Sequence, residues 1–191
     1  PRSRRASCYD LPMQPPFTVT FSAGDAGPWR IERLSAVCGP GLAAATHLAM
    51  IDSPGAAWRV RGVVSHPRYS TAAELKELAG VQAGLGRSEA TCAALIPIRK
   101  SEAWWSMAQD ERRAIFEDRS RHIALSMKYL PAVARRLHHA RDLGEPFDFL
   151  TWFEFAPEHE AAFDALLVEL RASEEWKYVE REVDVRLTRT G

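Results

Sequence analysis

The sequence has no surplus of charge of either sign: 25 Lys and Arg stand against 25 Asp and Glu in 191 residues. A large, sequence-independent grip on nucleic acid or on an anionic membrane needs a basic excess, so both partner classes are excluded. Cysteine is scarce. Cys8, Cys38 and Cys92 lie far apart, with no CxxC pair and no histidine at zinc spacing, which removes a disulfide framework and a zinc finger. The odd count points to a reducing compartment, and cytoplasmic residence is the expectation. No run approaches the roughly 18 apolar residues of a membrane helix. Pro1-Arg-Ser-Arg-Arg5 carries the charge of a signal peptide, but Tyr9, Asp10 and Pro12 interrupt the apolar run that should follow. A periplasmic home after removal of an upstream signal stays open. HExxH, GxSxG, GxxxxGK and GxGxxG are all missing, and with them the strongest signals of zinc proteases, serine hydrolases, NTPases and dinucleotide enzymes.

What the chain does have is apolar bulk: 46% hydrophobic residues, with six Trp, eight Phe and four Tyr. Its length suits one domain, or two small ones sharing a core. Residues 1–16 read as a poorly ordered basic arm. Phe17–Ser22, Trp29–Val37 and Trp58–Ser65 read as strands, while 42–57 is Ala-rich and weakly patterned. Thr71-Ala-Ala-Glu74 is a capping box opening a helix to about Gly80 or Gln82. Thr91–Ile98 is a strand that tolerates Pro97 near its end. Ser101 caps a short helix with Trp104 and Trp105, and Asp110–Glu117 is helical in character. Ser120–Leu130 carries Ile123, Met127 and Leu130 on one helical stripe.

Beyond Pro131, Ala132–Arg141 fits a helix or a strand. Strand 147–156 places Phe147, Phe149, Thr151, Phe153 and Phe155 on one side. Helix 157–171 is amphipathic, and strand 177–189 closes the chain. Strands and helices mix without regular βαβα alternation, which favours α+β with a largely antiparallel sheet over a doubly wound fold. The order after residue 131 matches half of a ferredoxin-like unit.

Three polar residues stand in apolar surroundings: Lys100 before the Trp pair, His122 on an apolar helix, and Arg135 beyond Pro131. On one continuous helix, thirteen residues put His122 and Arg135 about 220° apart and about 20 Å along the axis. They would then face apart. A chain that leaves the helix at Pro131 and returns as a strand brings both to one site, with Val133, Arg135 and Leu137 on one face. On that ground 132–141 is assigned to a strand.

From residue 58 to 191 the sequence resembles the chlorite dismutase family of haem b proteins. The resemblance rests on an ordered set: Ser65-His-Pro-Arg-Tyr69, Ile96-Pro-Ile-Arg-Lys100 with Trp104-Trp105, Arg121-His122, and Tyr129-Leu-Pro131 with Arg135. Phe149-Leu-Thr-Trp-Phe-Glu154 and Glu175-Trp-Lys-Tyr-Val-Glu-Arg-Glu182 complete it. The short length resembles the small, dimeric lineage, and residues 1–57 carry little of the likeness.

The resemblance implies a ferredoxin-like, dimeric α+β barrel with a reduced N-terminal half at 1–97 and a haem-binding half at 98–191. His122 matches the proximal iron ligand. Glu175 matches the carboxylate behind it, with Glu174 as its rival. Arg135 matches the distal arginine, with Arg136 beside it, and strand parity admits only one. Gln82 resembles the glutamine that holds this arginine. Tyr69, Lys100 and Trp104 match positions around the haem propionates and ring edge, and Trp105 an aromatic near the haem or the subunit contact.

The activity implied is decomposition of chlorite to chloride and dioxygen through an oxidised ferryl haem and transient hypochlorite. Arginine suits an anion at the open face because it stays protonated and offers several donors. The alternatives are a peroxidase-like protein, a coproheme decarboxylase (against which Arg135 counts) and a non-enzymatic haem-binding or sensing dimer.

Overall fold

The computed structural model describes residues 17–64, 70–81 and 83–190. Eight strands form one sheet: β1 (Phe17–Gly24), β2 (Trp29–Cys38), β3 (His47–Ala49), β4 (Trp58–Val64), β5 (Cys92–Lys100), β6 (Val133–His139), β7 (Phe149–Phe155) and β8 (Val179–Arg189). Every neighbouring pair is antiparallel, and the order β1-β3-β2-β8-β5-β7-β6-β4 closes into a barrel. The ring closes through short contacts: β3 meets β1 at three residue pairs and β2 at two, and β4 meets β6 at one. Five short to medium helices decorate it: α1 (Ala72–Val81), α2 (Glu102–Ser106), α3 (Gln109–Arg113), α4 (His122–Met127) and α5 (Glu160–Arg171).

Alternation along the strands divides the apolar residues between two cores. One set points inward, where Phe21, Trp29, Leu95, Trp152 and Val185 fill the barrel. Their chain neighbours Ile96 and Phe153 point outward, against Phe163, Leu166, Leu167 and Leu170 of α5. Those four recur at i, i+3, i+4 and i+7, which is why α5 lies flat on the sheet. Gly62 is fixed by a close approach: a Cβ there would lie 2.6 Å from Cβ of His138. A side chain at that point would force β4 away from β6 at the seam that closes the barrel.

The strand over 132–141 is present as β6, paired with β7 from Val133↔Phe155 to His139↔Phe149. The capping box is also present: the Thr71 N–H donates to Glu74 Oε2 (2.6 Å) and the Glu74 N–H to Thr71 Oγ1 (3.3 Å). Three expectations need correction. The stretch 42–57 contains a strand, β3, whose three residues are too few to show a period. The helix expected over 120–130 is broken: Ala114–Arg119 winds as a π-helix, Arg121 takes a left-handed φ of 52°, and α4 starts only at His122. Phe147 does not share a side with Phe149 and Phe153. It precedes β7 and lies in the barrel interior, fully buried.

Candidate functional site

A cavity of about 580 Å³ lies between the outer face of the barrel and the helices. Strands β5, β6 and β7 form one wall, with Ile98, Arg135, Leu137 and Thr151 among its residues. Helices α4 and α5 supply the facing wall, and Leu75, Leu78 and Ala79 of α1 also line the cavity. Most of this lining is apolar, so a polar group that reaches it is conspicuous.

His122 opens α4 on the helix wall. Its Nδ1–H donates to Glu175 Oε2 at 2.7 Å. Lys100 Nζ donates to Glu175 Oε1, also at 2.7 Å, and to the Glu175 carbonyl at 3.4 Å. The Glu175 N–H is bound by Ser120 Oγ at 2.8 Å. Burial pushes the Glu175 carboxyl up, but attraction to His122 and Lys100 and the hydrogen bonds from both outweigh it and hold it at about 2. Burial pulls the Lys100 ammonium below its ordinary value, against the opposing pull of Glu175. Its charge also lies 4.5 Å from the centroid of the Trp104 ring and 5.5 Å from that of Trp176, which offers cation–π compensation for lost water. Anionic Glu175 fixes which imidazole nitrogen carries the proton. Nδ1 being engaged, Nε2 is the nitrogen able to serve a ligand in the cavity.

Arg135 stands on the sheet wall, on the same strand face as Leu137 and His139. Burial lowers its guanidinium from the ordinary value. Arginine retains its proton under such a shift, so this is a positive charge kept in a poorly solvated place.

Two neighbouring pairs were left open by the sequence, and their members differ in surroundings. Glu175, not Glu174, meets His122; Glu174 pairs with Arg119 at 2.9 Å near the surface. Arg135 and Arg136 both touch the cavity; Arg135 is the half-buried member of the pair, while Arg136 is exposed and has its guanidinium 5.9 Å from the Phe17 ring. Trp104 is 1% exposed and forms part of the wall. Trp105 is not a wall residue. It stacks on Phe149 (5.9 Å, 26°), which lines the cavity, and its Nε1–H donates to Asp148 Oδ2 at 3.1 Å. Lys100 lines the cavity, yet its ammonium is directed to Glu175 rather than to an outer rim. Tyr69 and Gln82 lie outside the described residues.

Several residues of the site carried no legible signal. Phe116 stacks on the His122 ring, with centroids 4.4 Å apart and planes 22° from parallel. Glu117 and Ser120 support His122 and Glu175, and His139 lines the cavity beside Phe149. Asp148 accepts from the Lys100 N–H at 2.7 Å and from Arg141 Nη1 at 3.2 Å. Only the parity of His139 with Arg135 along the strand was readable in advance.

The donor set restricts what this cavity can hold. No group of three or more His, Cys, Asp or Glu suited to a bare metal ion occurs among the described residues. One imidazole on one wall can hold an iron whose remaining ligands arrive with the cofactor, as in a haem. A large apolar slot with a carboxylate-backed histidine and a cationic side chain opposite fits that group.

Fold and site together define a closed antiparallel α+β barrel with an apolar pocket on its outer face. The family follows from comparison: the chlorite dismutase family model matches residues 45–190, and the chain belongs to that family. The match begins earlier than residue 58, and so takes in β3. A structure of dimeric chlorite dismutases from Nitrobacter winogradskyi is 63% identical with a TM-score of 0.87, covering 91% of this chain and 100% of that one. A chlorite dismutase mutant from Candidatus Nitrospira defluvii, in complex with cyanide, is 26% identical with a TM-score of 0.59 over 70% of this chain and 54% of that one. The chlorite dismutase of Ideonella dechloratans is 30% identical over 84 residues, 44% of this chain, and the match spans only 27% of that relative's length.

Proposed function

We infer that the chain is a haem b enzyme that decomposes chlorite to chloride and dioxygen, ClO2⁻ → Cl⁻ + O2. The observation that carries this reading is the placement of Arg135 on the sheet wall of the same cavity whose helix wall carries the His122–Glu175 pair. Haem, when bound, would supply oxygen-atom-transfer chemistry at its iron.

His122 would hold the iron through Nε2. Glu175 would keep Nδ1 protonated and make the imidazole a stronger donor, and Lys100 would hold Glu175 anionic and in place. Arg135 would bind the chlorite anion and keep the hypochlorite produced from it inside the cavity until the oxygen–oxygen bond forms. Its fixed charge suits this task, because it binds an anion without giving up a proton. The apolar lining excludes water and strengthens that attraction. Trp104 would pack against the cofactor edge and Trp105 behind it. Tyr69 would serve the propionate side and Gln82 would steady Arg135.

We propose two ferredoxin-like halves, a reading that the element order supports. The order β5, helices, β6, β7, α5, β8 is the βαββαβ order of the second. The first, at 1–97, would be the reduced half, with β1 to β4 and α1 among its described residues. The division at 97/98 falls within β5, and the pairing of that strand with β7 and β8 supports counting all of it with the second half. We assign a homodimer, supported by the dimeric Nitrobacter relative.

The test is an oxygen electrode with haem-loaded protein and added chlorite. Prompt evolution of one O2 per chlorite, abolished in His122→Ala together with haem affinity, supports the reading. A normal haem spectrum without oxygen release overturns the activity, and a normal spectrum in His122→Ala overturns the ligand.

A further inference from the structure

Between α3 and α4 the backbone departs twice from regular geometry within eight residues. Ala114–Arg119 is π-helical, and Arg121 is left-handed at φ 52°. Both are unfavourable: π-turns are rare and concentrate at functional sites, and a left-handed non-glycine residue costs about 1–2 kcal/mol. Such features persist only where surrounding contacts hold them.

The contacts that hold this segment converge on one place. Glu117 reaches over the break, and its carboxylate accepts from the N–H of Ile123 (2.7 Å) and of Ala124 (3.3 Å). These are donors at the start of α4, which its own helix cannot satisfy. The Glu117 carbonyl accepts from the N–H of left-handed Arg121 at 2.8 Å. Phe116, one residue earlier, lies flat on the His122 ring. Ser120 closes the segment: its Oγ accepts from the Glu175 N–H, and its own N–H donates to the Ile115 carbonyl at 3.1 Å in the π-type pairing. Thus one side chain stacks on the imidazole, one caps the helix that begins with it, and one holds its carboxylate partner. An α-helical winding would turn residues 116 and 117 away from their present directions, since each residue advances about 100°.

We propose that Ala114–Ser120 is a clasp that sets the plane of the His122 imidazole, with Glu117 and Phe116 as positioning residues. The proposal rests on the reading of His122 as the cofactor-holding residue. Its primary test is therefore made on haem-free protein. Nitrogen NMR of the histidine rings should show His122 as a single tautomer protonated at Nδ1. In Glu117→Ala the His122 ring signals should shift and broaden as the ring loses its fixed plane, and Glu117→Gln, which keeps one acceptor oxygen, should restore much of the wild-type spectrum. Phe116→Leu should keep the tautomer but shift the His122 ring protons downfield, because the stacked ring that shields them is gone. Haem affinity should fall about tenfold or more in Glu117→Ala, the usual effect of losing support behind a metal ligand.

Unchanged His122 ring signals in both Glu117→Ala and Phe116→Leu, with only the unfolding temperature lowered, would overturn the proposal. If Glu117→Ala does not fold, Phe116→Leu decides alone by the ring-proton shift. Wild-type haem affinity in His122→Ala would instead remove the cofactor reading, a result separable from the haem-free spectra.

Discussion

Lys100 and Glu175 form a 2.7 Å ion pair that is almost withdrawn from solvent, with side chains 3% and 6% exposed. The pair stands behind His122, so its charge balance reaches the cavity through one imidazole. Removing Lys100 leaves a buried carboxylate with a single partner, and breaking such a pair costs about 3–5 kcal/mol. Lys100→Met, which keeps most of the volume, should lose stability on that scale in urea unfolding of haem-free protein. A change below about 1 kcal/mol would mean that the pair does not hold the site together.

Arg135→Ala should bind haem normally, release less than one O2 per chlorite and bleach during turnover. Arg135→Lys should fall between, since a point charge replaces a planar fork of donors. Hypochlorite that escapes should convert Met107 and Met127 to sulfoxides, readable by peptide mass spectrometry. Full oxygen yield and an undamaged cofactor in Arg135→Ala would contradict the role given to this residue.

His138 is buried in the barrel interior, where burial first and foremost lowers its pKa from 6.5 to about 4 and its ring bonds to the Leu150 carbonyl. A histidine held neutral binds fewer protons folded than unfolded. Its stabilising effect is complete above about 6.5 and is lost as pH falls through about 4, up to about 3 kcal/mol in all. Unfolding free energy should decline over that window in wild type. It should decline less in His138→Leu, which starts from a lower value.

Glu74 joins α1 to α3 through a two-pronged pair with Arg113, at 2.7 and 3.0 Å. The Arg113 hydrogen bond is the main reason that Glu74 is lowered to about 2. A depressed acid stabilises above its ordinary 4.5 and loses that effect as pH falls through about 2. Because α1 lines the cavity but buries no residue completely, Arg113→Ala should speed amide exchange across 72–81 with little effect on the barrel strands. Equal acceleration in β5 and β7 would show that the pair supports the whole fold.

Much of this architecture was readable because it obeys short periods. The capping box at Thr71, the stripe on α5 and the alternation of β8 each state their own structure. The strand after Pro131 was legible for another reason: only a reversal there could bring His122 and Arg135 to one site. What stayed hidden depends on long-range pairing or irregular winding. Glu174 and Glu175 differ only in which way a 3-10 turn rotates them. Asp148 and Ser120 act through backbone bonds to residues 48 and 55 positions away. The π-helix at Ala114–Arg119 has no apolar period that separates it from an α-helix, so Phe116 and Glu117 passed as ordinary helix surface.

The central claim is that both oxygen atoms of one chlorite leave as one O2, because Arg135 keeps the hypochlorite within the cavity. Mass analysis of gas evolved from a mixture of doubly ¹⁸O-labelled and unlabelled chlorite, in unlabelled water, tests this directly. The account predicts ³⁶O2 and ³²O2 with little ³⁴O2. Abundant ³⁴O2, or chlorite consumed without oxygen, would contradict it.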